Sequence, residues 1–483
     1  MQSDGGLCNV KDFCGSKAIL SGPAGGVIGV ALTAYDMTTK RPVIGFDMGG
    51  TSTDVCRYSG ALEHVMETTT AGVTIQAPQL DINTIAAGGG SRLTFENGIF
   101  MVGPESVGAH PGPVCYRKGG NLAITDANLI LGRILPDYFP KIFGPKSDEA
   151  LDSDASYTAM EKLTNRINEY LGKNTDSIDK TYTVQEVALG FIAVANEEMC
   201  RPIRALTQAR GFDTSAHVLA CFGGAGGQHA CAIARLLGIR TVLIHKYSSL
   251  LSAYGIALAE VVSEVQEPVN LVFSRGSLET VPLFTERFAM LSEQAEKRLK
   301  EQGFNSVHFE RFLHMRYART DCAIMVMGNY DSTNPETLSS FMTAFNANYK
   351  REFGFVLPDR EVIVDDIRVR GIASSCIKND ELIEMASDPN SAVPVTATKT
   401  FFEASYPFAK GRFLETAVYE KKDLLAGHVL RGPAIILDRN STIVVEPLCS
   451  AVITTDGSIR LDVCSREAQR IGTQVWRESE EYN

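Results

Sequence analysis

Val43-Ile-Gly-Phe-Asp-Met-Gly-Gly-Thr-Ser-Thr-Asp-Val-Cys-Arg-Tyr58 reads as two strands joined by a tight turn. Gly49 and Gly50 let the backbone fold back, and Thr51, Ser52 and Thr53 line the exit into the second strand. Such a turn directs several N–H groups into one concavity, the arrangement a phosphate needs. Asp47 stands at its lip, where a hard cation bound with a nucleotide takes a carboxylate and keeps its waters. Asp54, on the outgoing strand, is the weaker metal candidate. An ordinary glycine hairpin with an aspartate at a strand end is the competing reading, so the neighbouring segments decide.

Before the hairpin, Ser21-Gly-Pro-Ala-Gly-Gly-Val-Ile-Gly-Val-Ala-Leu-Thr-Ala34 predicts a helix of small residues suited to close helix packing. Far downstream, Val218-Leu-Ala-Cys-Phe222 predicts a buried strand that enters Gly223-Gly-Ala-Gly-Gly227 and then a helix beginning at His229. A strand at Thr241 to His245 and a second small-residue helix, Leu251 to Glu260, follow. A dinucleotide site fits less well, because Gly224-x-Gly226-x-x-His229 lacks the third glycine and the next strand ends in His245-Lys246 rather than an acid. No Gly-x-x-x-x-Gly-Lys-Ser/Thr occurs in the chain.

The order of small helix, phosphate hairpin, insert, glycine turn and small helix resembles the second half of the actin, sugar-kinase and heat-shock ATPase superfamily. Phe46-Asp-Met-Gly-Gly-Thr-Ser-Thr-Asp54, Ala87-Gly-Gly-Gly-Ser91, Gly108-Ala-His-Pro-Gly-Pro-Val-Cys-Tyr116, Thr125-Asp-Ala-Asn128 and Phe222-Gly-Gly-Ala-Gly-Gly-Gln-His229 narrow it. Together they resemble the hydantoinase A/5-oxoprolinase family, most closely its eukaryotic ATP-dependent type. The resemblance implies an α/β, ribonuclease H-like ATPase domain over residues 1–266, with a helical insert at about 147–211. An α+β, β-rich C-terminal domain over 267–464 and a polar tail over 465–483 are expected to follow.

It also implies the chemistry: phosphoryl transfer from ATP, with Mg2+, to a cyclic amide whose activated form is then hydrolysed, as in conversion of 5-oxoproline to glutamate. Full-length members carry a further N-terminal domain and a hydantoinase B-like half, so the chain is expected to be the middle of a larger, homo-oligomeric enzyme. The resemblance implies a place in glutathione metabolism through the γ-glutamyl cycle. Hydantoin- or ketone-activating relatives and a non-catalytic nucleotide-binding fragment are the alternatives.

The residues assigned on this basis are Asp47 for Mg2+, Gly49, Gly50, Thr51 and Thr53 for phosphates, and Gly223, Gly224, Gly226 and Gly227 for adenosine. In the insert, Gly89, Gly90 and Ser91 offer further donors, and Arg92 either grips a carboxylate or phosphate or is simply solvated. Asp81 either holds metal, orients a substrate amide or caps a turn. His110, between a proline turn's rigid residues, suits acid–base work or a structural hydrogen bond. Thr125 or Asp126 is expected to be a helix N-cap.

Composition sets outer limits. The 483 residues, 44% hydrophobic and 21% charged, suffice for about two to four domains. A net charge of −11 without basic clusters argues against a nucleic-acid face. No apolar run approaches the ~20 residues needed to span a bilayer. Eleven scattered cysteines without zinc-like spacing suit reduced thiols in cytosol, and Cys115, Cys200, Cys221 and Cys231 are expected to be buried packing residues. Apolar residues three and four apart predict helices at Ala150 to Gly172 and Val184 to Arg210, the second kinked or divided at Pro202.

Overall fold

In the computed structural model, residues 1–70, 73–174, 181–273, 280–331, 334–374, 381–405 and 410–463 are described. The tail expected beyond Ser465 lies outside them. Contacts group the chain into two compact units that interleave along the sequence. One takes Met1–Gly29, Leu62–Asp81 and Ser252–Lys378; the other takes Val30–Ala61, Ile82–Leu251 and Asn379–Asn483.

The second unit is α/β and is built on an eight-stranded sheet. Val43–Met48 lies near its middle, antiparallel to Thr53–Tyr58 on one side and parallel to Val218–Phe222 on the other. Ile82–Ile85 extends the antiparallel side, and Thr241–Ile244 continues the parallel side. Three short strands, Ile459–Asp462, Ser450–Ile453 and Val429–Arg431, then complete that edge. Composition groups these last strands with the C-terminal domain. Hydrogen bonding joins them to the sheet of the phosphate hairpin, because Thr241–Ile244 presents a free edge that they pair.

Period-2 alternation sends Phe46 and Met48 to one face of the sheet, where both are fully buried, and Asp47 to the other. Phe46 and Met48 share a core with Val187, Phe191, Ile192 and Met199 of the helix Val184–Leu206, and with Met160 and Ile167 of Ser153–Asn174. The Val184–Leu206 helix begins with a capping box formed by Thr183 and Glu186. Of the two expected effects of Pro202, division does not occur: the helix runs through it in one piece. Pro202 falls one turn from the helix end, where the Thr207 hydroxyl donates to the Ile203 carbonyl at 2.7 Å.

The first unit carries a four-stranded antiparallel sheet, ordered Val261–Val272, Val362–Ala373, His308–Tyr317 and Ile324–Met327. Helices Thr280–Lys300 and Ser339–Phe353 supply Phe284, Phe288, Phe341 and Phe345 to its core. The two small-residue segments form helices Ser21–Thr33 and Leu251–Leu258. They touch backbone to backbone: a Cβ on Gly255 would fall on the carbonyl of Gly25, and one on Gly25 would lie 2.5 Å from the Ser252 carbonyl oxygen. No described helix is long and apolar enough to cross a membrane.

Two glycine substitutions are expected to act with opposite sign. Gly255→Ala should destabilise by about 1–3 kcal/mol, because its methyl meets backbone that must move. Gly172→Ala, on an exposed helical position with nothing within 4 Å of the new Cβ, should stabilise by about 0.5–1 kcal/mol. Urea unfolding of the two variants checks both; equal shifts would contradict the packing assigned to Gly255.

Candidate functional site: two glycine loops at adjacent strand ends

The parallel register pairs Asp47 with Phe222, so the hairpin after Met48 and the glycine turn after Phe222 emerge side by side. Ligand crevices of open α/β sheets form at such carboxyl ends. In the hairpin, Met48 pairs with Thr53, and the Gly49 amide donates to the Ser52 carbonyl at 3.1 Å. Gly50 and Thr51 form an exposed tip, and among the described residues their amides have no protein acceptor. These are the donors that remain for a ligand.

The run Ala87 to Ser91 does not offer free donors in the expected way. Gly89 and Gly90 give their amides to the carbonyls of Gly49 and Gly50, at 3.0 and 2.6 Å. Gly88 presses so close that a Cβ would sit 2.8 Å from the Thr51 nitrogen. Ser91 is buried and receives the Gly88 amide on its hydroxyl at 2.9 Å. Arg92 pairs with Glu105 at 2.6 Å. Thr53 is also turned inward: its buried hydroxyl donates to the Ala87 carbonyl at 2.6 Å. This second loop therefore braces the hairpin from behind.

The glycine turn divides in two. Gly223 has φ +83°, gives its amide to the Ser248 carbonyl at 3.0 Å, and stands where a Cβ would lie 2.5 Å from Asp47 Oδ1. The Ala225 amide donates to the Met48 carbonyl at 3.1 Å, tying turn to hairpin. Gly224 is exposed. Gly226 and Gly227 are buried, packed on Cys221 Sγ and the Thr442 carbonyl, each 2.8 Å from where a Cβ would be. Their role in the structure is close packing.

Asp54 accepts the Thr84 hydroxyl at 2.6 Å, and burial raises its carboxyl pKa. Asp81 belongs to the first compact unit, where its amide donates to the Glu63 carbonyl at 2.9 Å. His110 is exposed in the turn closed by the Gly112 amide on the Val107 carbonyl at 3.1 Å. The N-cap of the helix Ile124–Ile130 is Ala123, not Thr125 or Asp126. Asp126 instead lies buried at the third helical position, accepting from the amides of Ala123, Val114 and Cys115 and from the Ser156 hydroxyl. Its four donors come from the helix's own N-cap residue, the turn at Val114 and Cys115, and the helix Ser153–Asn174. Cys115, Cys200, Cys221 and Cys231 are buried, and burial pushes the Cys115 and Cys221 thiols up, which suits packing rather than reactivity.

Asn128, Asn196 and Gln228 escape sequence reasoning, although the first and last sit inside quoted motifs. They form a buried network around His229, whose Nδ1 lies 2.7 Å from Asn196 Oδ1. Among the described residues, no group of three or more His, Cys, Asp or Glu side chains could hold a metal by itself. A single carboxylate at Asp47 fits a magnesium ion that draws its other ligands from phosphate and water.

Residues 1–265 match the Hydantoinase/oxoprolinase family and residues 277–458 the Hydantoinase/oxoprolinase C-terminal domain; the chain belongs to this family. Within it, the chain is 50% identical over 470 residues to 5-oxoprolinase 1 of Arabidopsis thaliana, covering 96% of this chain and 36% of that one. It is 47% identical to 5-oxoprolinase of Dictyostelium discoideum, covering 98% of this chain and 37% of that one. The chain thus spans about a third of the length of these relatives. The crystal structure of ATP-dependent caprolactamase from Pseudomonas jessenii matches with a TM-score of 0.77 at 25% identity, covering 95% of this chain and 64% of that one. Nucleotide-free acetone carboxylase shares the fold, with a TM-score of 0.72 at 21% identity over 96% of this chain and 64% of that one.

Burial pushes the His229 imidazole down to about 3, with the Arg133 cation a second cause. The folded state therefore resists a proton that the unfolded chain accepts below about pH 6.5. Stability contributed by the neutral ring is complete above that pH and is lost as pH falls toward 3, by roughly 2 kcal/mol between pH 6.5 and pH 5. In urea unfolding, the advantage of wild type over His229→Gln should shrink by that amount across this range. A pH-independent difference would mean that the folded ring takes up the proton.

Proposed function

We propose that this chain is the nucleotide-binding, substrate-activating part of an ATP-dependent cyclic-amide hydrolase of the 5-oxoprolinase type. The observation that carries the reading is the pairing of Asp47 with Phe222, which sets the hairpin carrying the uncommitted amides of Gly50 and Thr51 beside the glycine turn, with the Asp47 carboxylate against Gly223. In this reading the hairpin amides hold the phosphates, Asp47 holds magnesium or its waters, and Gly223 and Gly224 border the nucleoside. Magnesium, when bound, neutralises charge on the transferring phosphoryl group.

The reaction follows from the amide. A lactam carbonyl is a poor electrophile, and its ring nitrogen stays poised to reclose. Transfer of the γ-phosphoryl group to the lactam oxygen breaks the bond to ADP and turns that oxygen into a good leaving group. One water then adds at the activated carbon, the carbon–nitrogen bond opens to leave an acyl phosphate, and a second water releases phosphate, leaving glutamate when the substrate is 5-oxoproline. Identity to named 5-oxoprolinases of Arabidopsis thaliana and Dictyostelium discoideum supports this substrate. A hydantoinase B-like partner for the hydrolytic step, a homo-oligomeric enzyme, a cytosolic site and a place in the γ-glutamyl cycle belong to the same proposal.

Asp47→Ala should keep the melting curve of the parent while weakening Mg-ATP binding by about ten-fold or more, since charge neutralisation carries phosphoryl transfer. In a full-length relative the matching change should abolish ATP-dependent glutamate formation from labelled 5-oxoproline. Retained turnover, or an unfolded variant, would remove Asp47 from its assigned role.

A further inference from the structure

The short helix Ile124–Ile130 touches both loops of the site, each through a different end. At its first turn, the Thr125 amide and hydroxyl both donate to the Gly89 carbonyl, at 2.9 and 2.8 Å, and Gly89 in turn holds the Gly49 carbonyl. One turn later, the buried Asn128 spreads its two amide hydrogens between Gln228 Oε1 at 2.9 Å and His229 Nε2 at 3.2 Å. Gln228 and His229 close the glycine turn, their own amides donating to the carbonyls of Ala225 and Gly226 at 3.1 and 3.0 Å.

Each side chain in this set has its direction fixed. His229 is fully buried and neutral; with Nε2 accepting from Asn128, its proton sits on Nδ1 and is donated to Asn196 Oδ1 at 2.7 Å. Asn196 belongs to the long helix Val184–Leu206, so the turn is anchored to the core as well as to the short helix. The short helix cannot slide, because Asp126 ties its start to the amides of Val114 and Cys115 and to the Ser156 hydroxyl. A buried set of hydrogen bonds of this kind rigidifies what it joins.

Resting on the ATP-binding reading above, we propose that Ile124–Ile130 is a strut that sets the spacing between the phosphate hairpin and the nucleoside-facing turn, with Asn128, Gln228 and His229 as positioning residues. None of the three touches the ligand in this arrangement. A strut of this kind acts only on a ligand that engages both loops at once. Each half of such a ligand binds its own loop regardless of the spacing, whereas the whole molecule gains its second contact only when the distance matches.

The test uses the whole chain, with ATP, adenosine and tripolyphosphate titrated separately in the presence of magnesium. Asn128→Leu removes both donors at nearly constant volume; it should weaken ATP by about ten-fold while leaving adenosine and tripolyphosphate within about two-fold of the parent. Gln228→Met, which removes one acceptor and leaves the helix untouched, should move the three ligands in the same pattern and serves if Asn128→Leu does not fold. Equal loss for all three ligands, or unchanged ATP affinity in a folded variant, would overturn the strut while leaving the site in place. Absence of ATP binding by the parent chain would overturn the site reading itself, and the strut with it.

Discussion

The parallel pairing of Val43–Met48 with Val218–Phe222 is the constraint on which the site depends. It brings together two turns that are far apart in sequence and leaves them almost no room. Gly223 backs onto Asp47 and the Met48 carbonyl so tightly that any side chain there would displace the carboxylate. The Ala225 amide on the Met48 carbonyl then locks the two turns in register. Under the proposed function, an Asp47 packed this closely against backbone would need little reorganisation to act on a charged transition state.

Support for the hairpin comes from glycines whose amides are given to protein acceptors. Gly89 and Gly90 donate to the carbonyls of Gly49 and Gly50, Gly88 packs against the Gly50–Thr51 backbone, and the amides of Gly50 and Thr51 keep no protein acceptor among the described residues. A two-stranded turn alone would be mobile; braced from behind, its donors are pre-oriented and the ordering cost of binding falls. The same economy of backbone contact recurs at Gly25 and Gly255, where two helices meet without side chains between them.

Much of this was legible from local pattern. The hairpin, the strand at Val218–Phe222, the glycine turn and both long helices follow from turn chemistry and from apolar spacing that neighbours alone enforce. Other features were illegible because their partners lie elsewhere in the chain. A glycine run looks the same whether its amides keep no protein acceptor among the described residues, as at Gly50, or donate to another loop's carbonyls, as at Gly89 and Gly90. Asp126 has the composition of an N-cap, and only the convergence of the Val114 and Cys115 amides and the Ser156 hydroxyl shows what its carboxylate serves. Asn128 and Gln228 carry no distinguishing spacing at all; their pairing spans the insert.

By itself the amino-acid sequence determined the elements, their order and the family, since each motif is a short-range arrangement of glycine, hydroxyl and carboxylate residues. Tertiary structure alone decided which of those glycines keep a free donor, that the strands from Val429 to Asp462 complete the hairpin's sheet, and that Thr53 and Ser91 turn inward. The physical reason is hydrogen-bond supply: each amide has one proton to give, and whether a ligand or a distant carbonyl receives it depends on what folding brings within 3 Å.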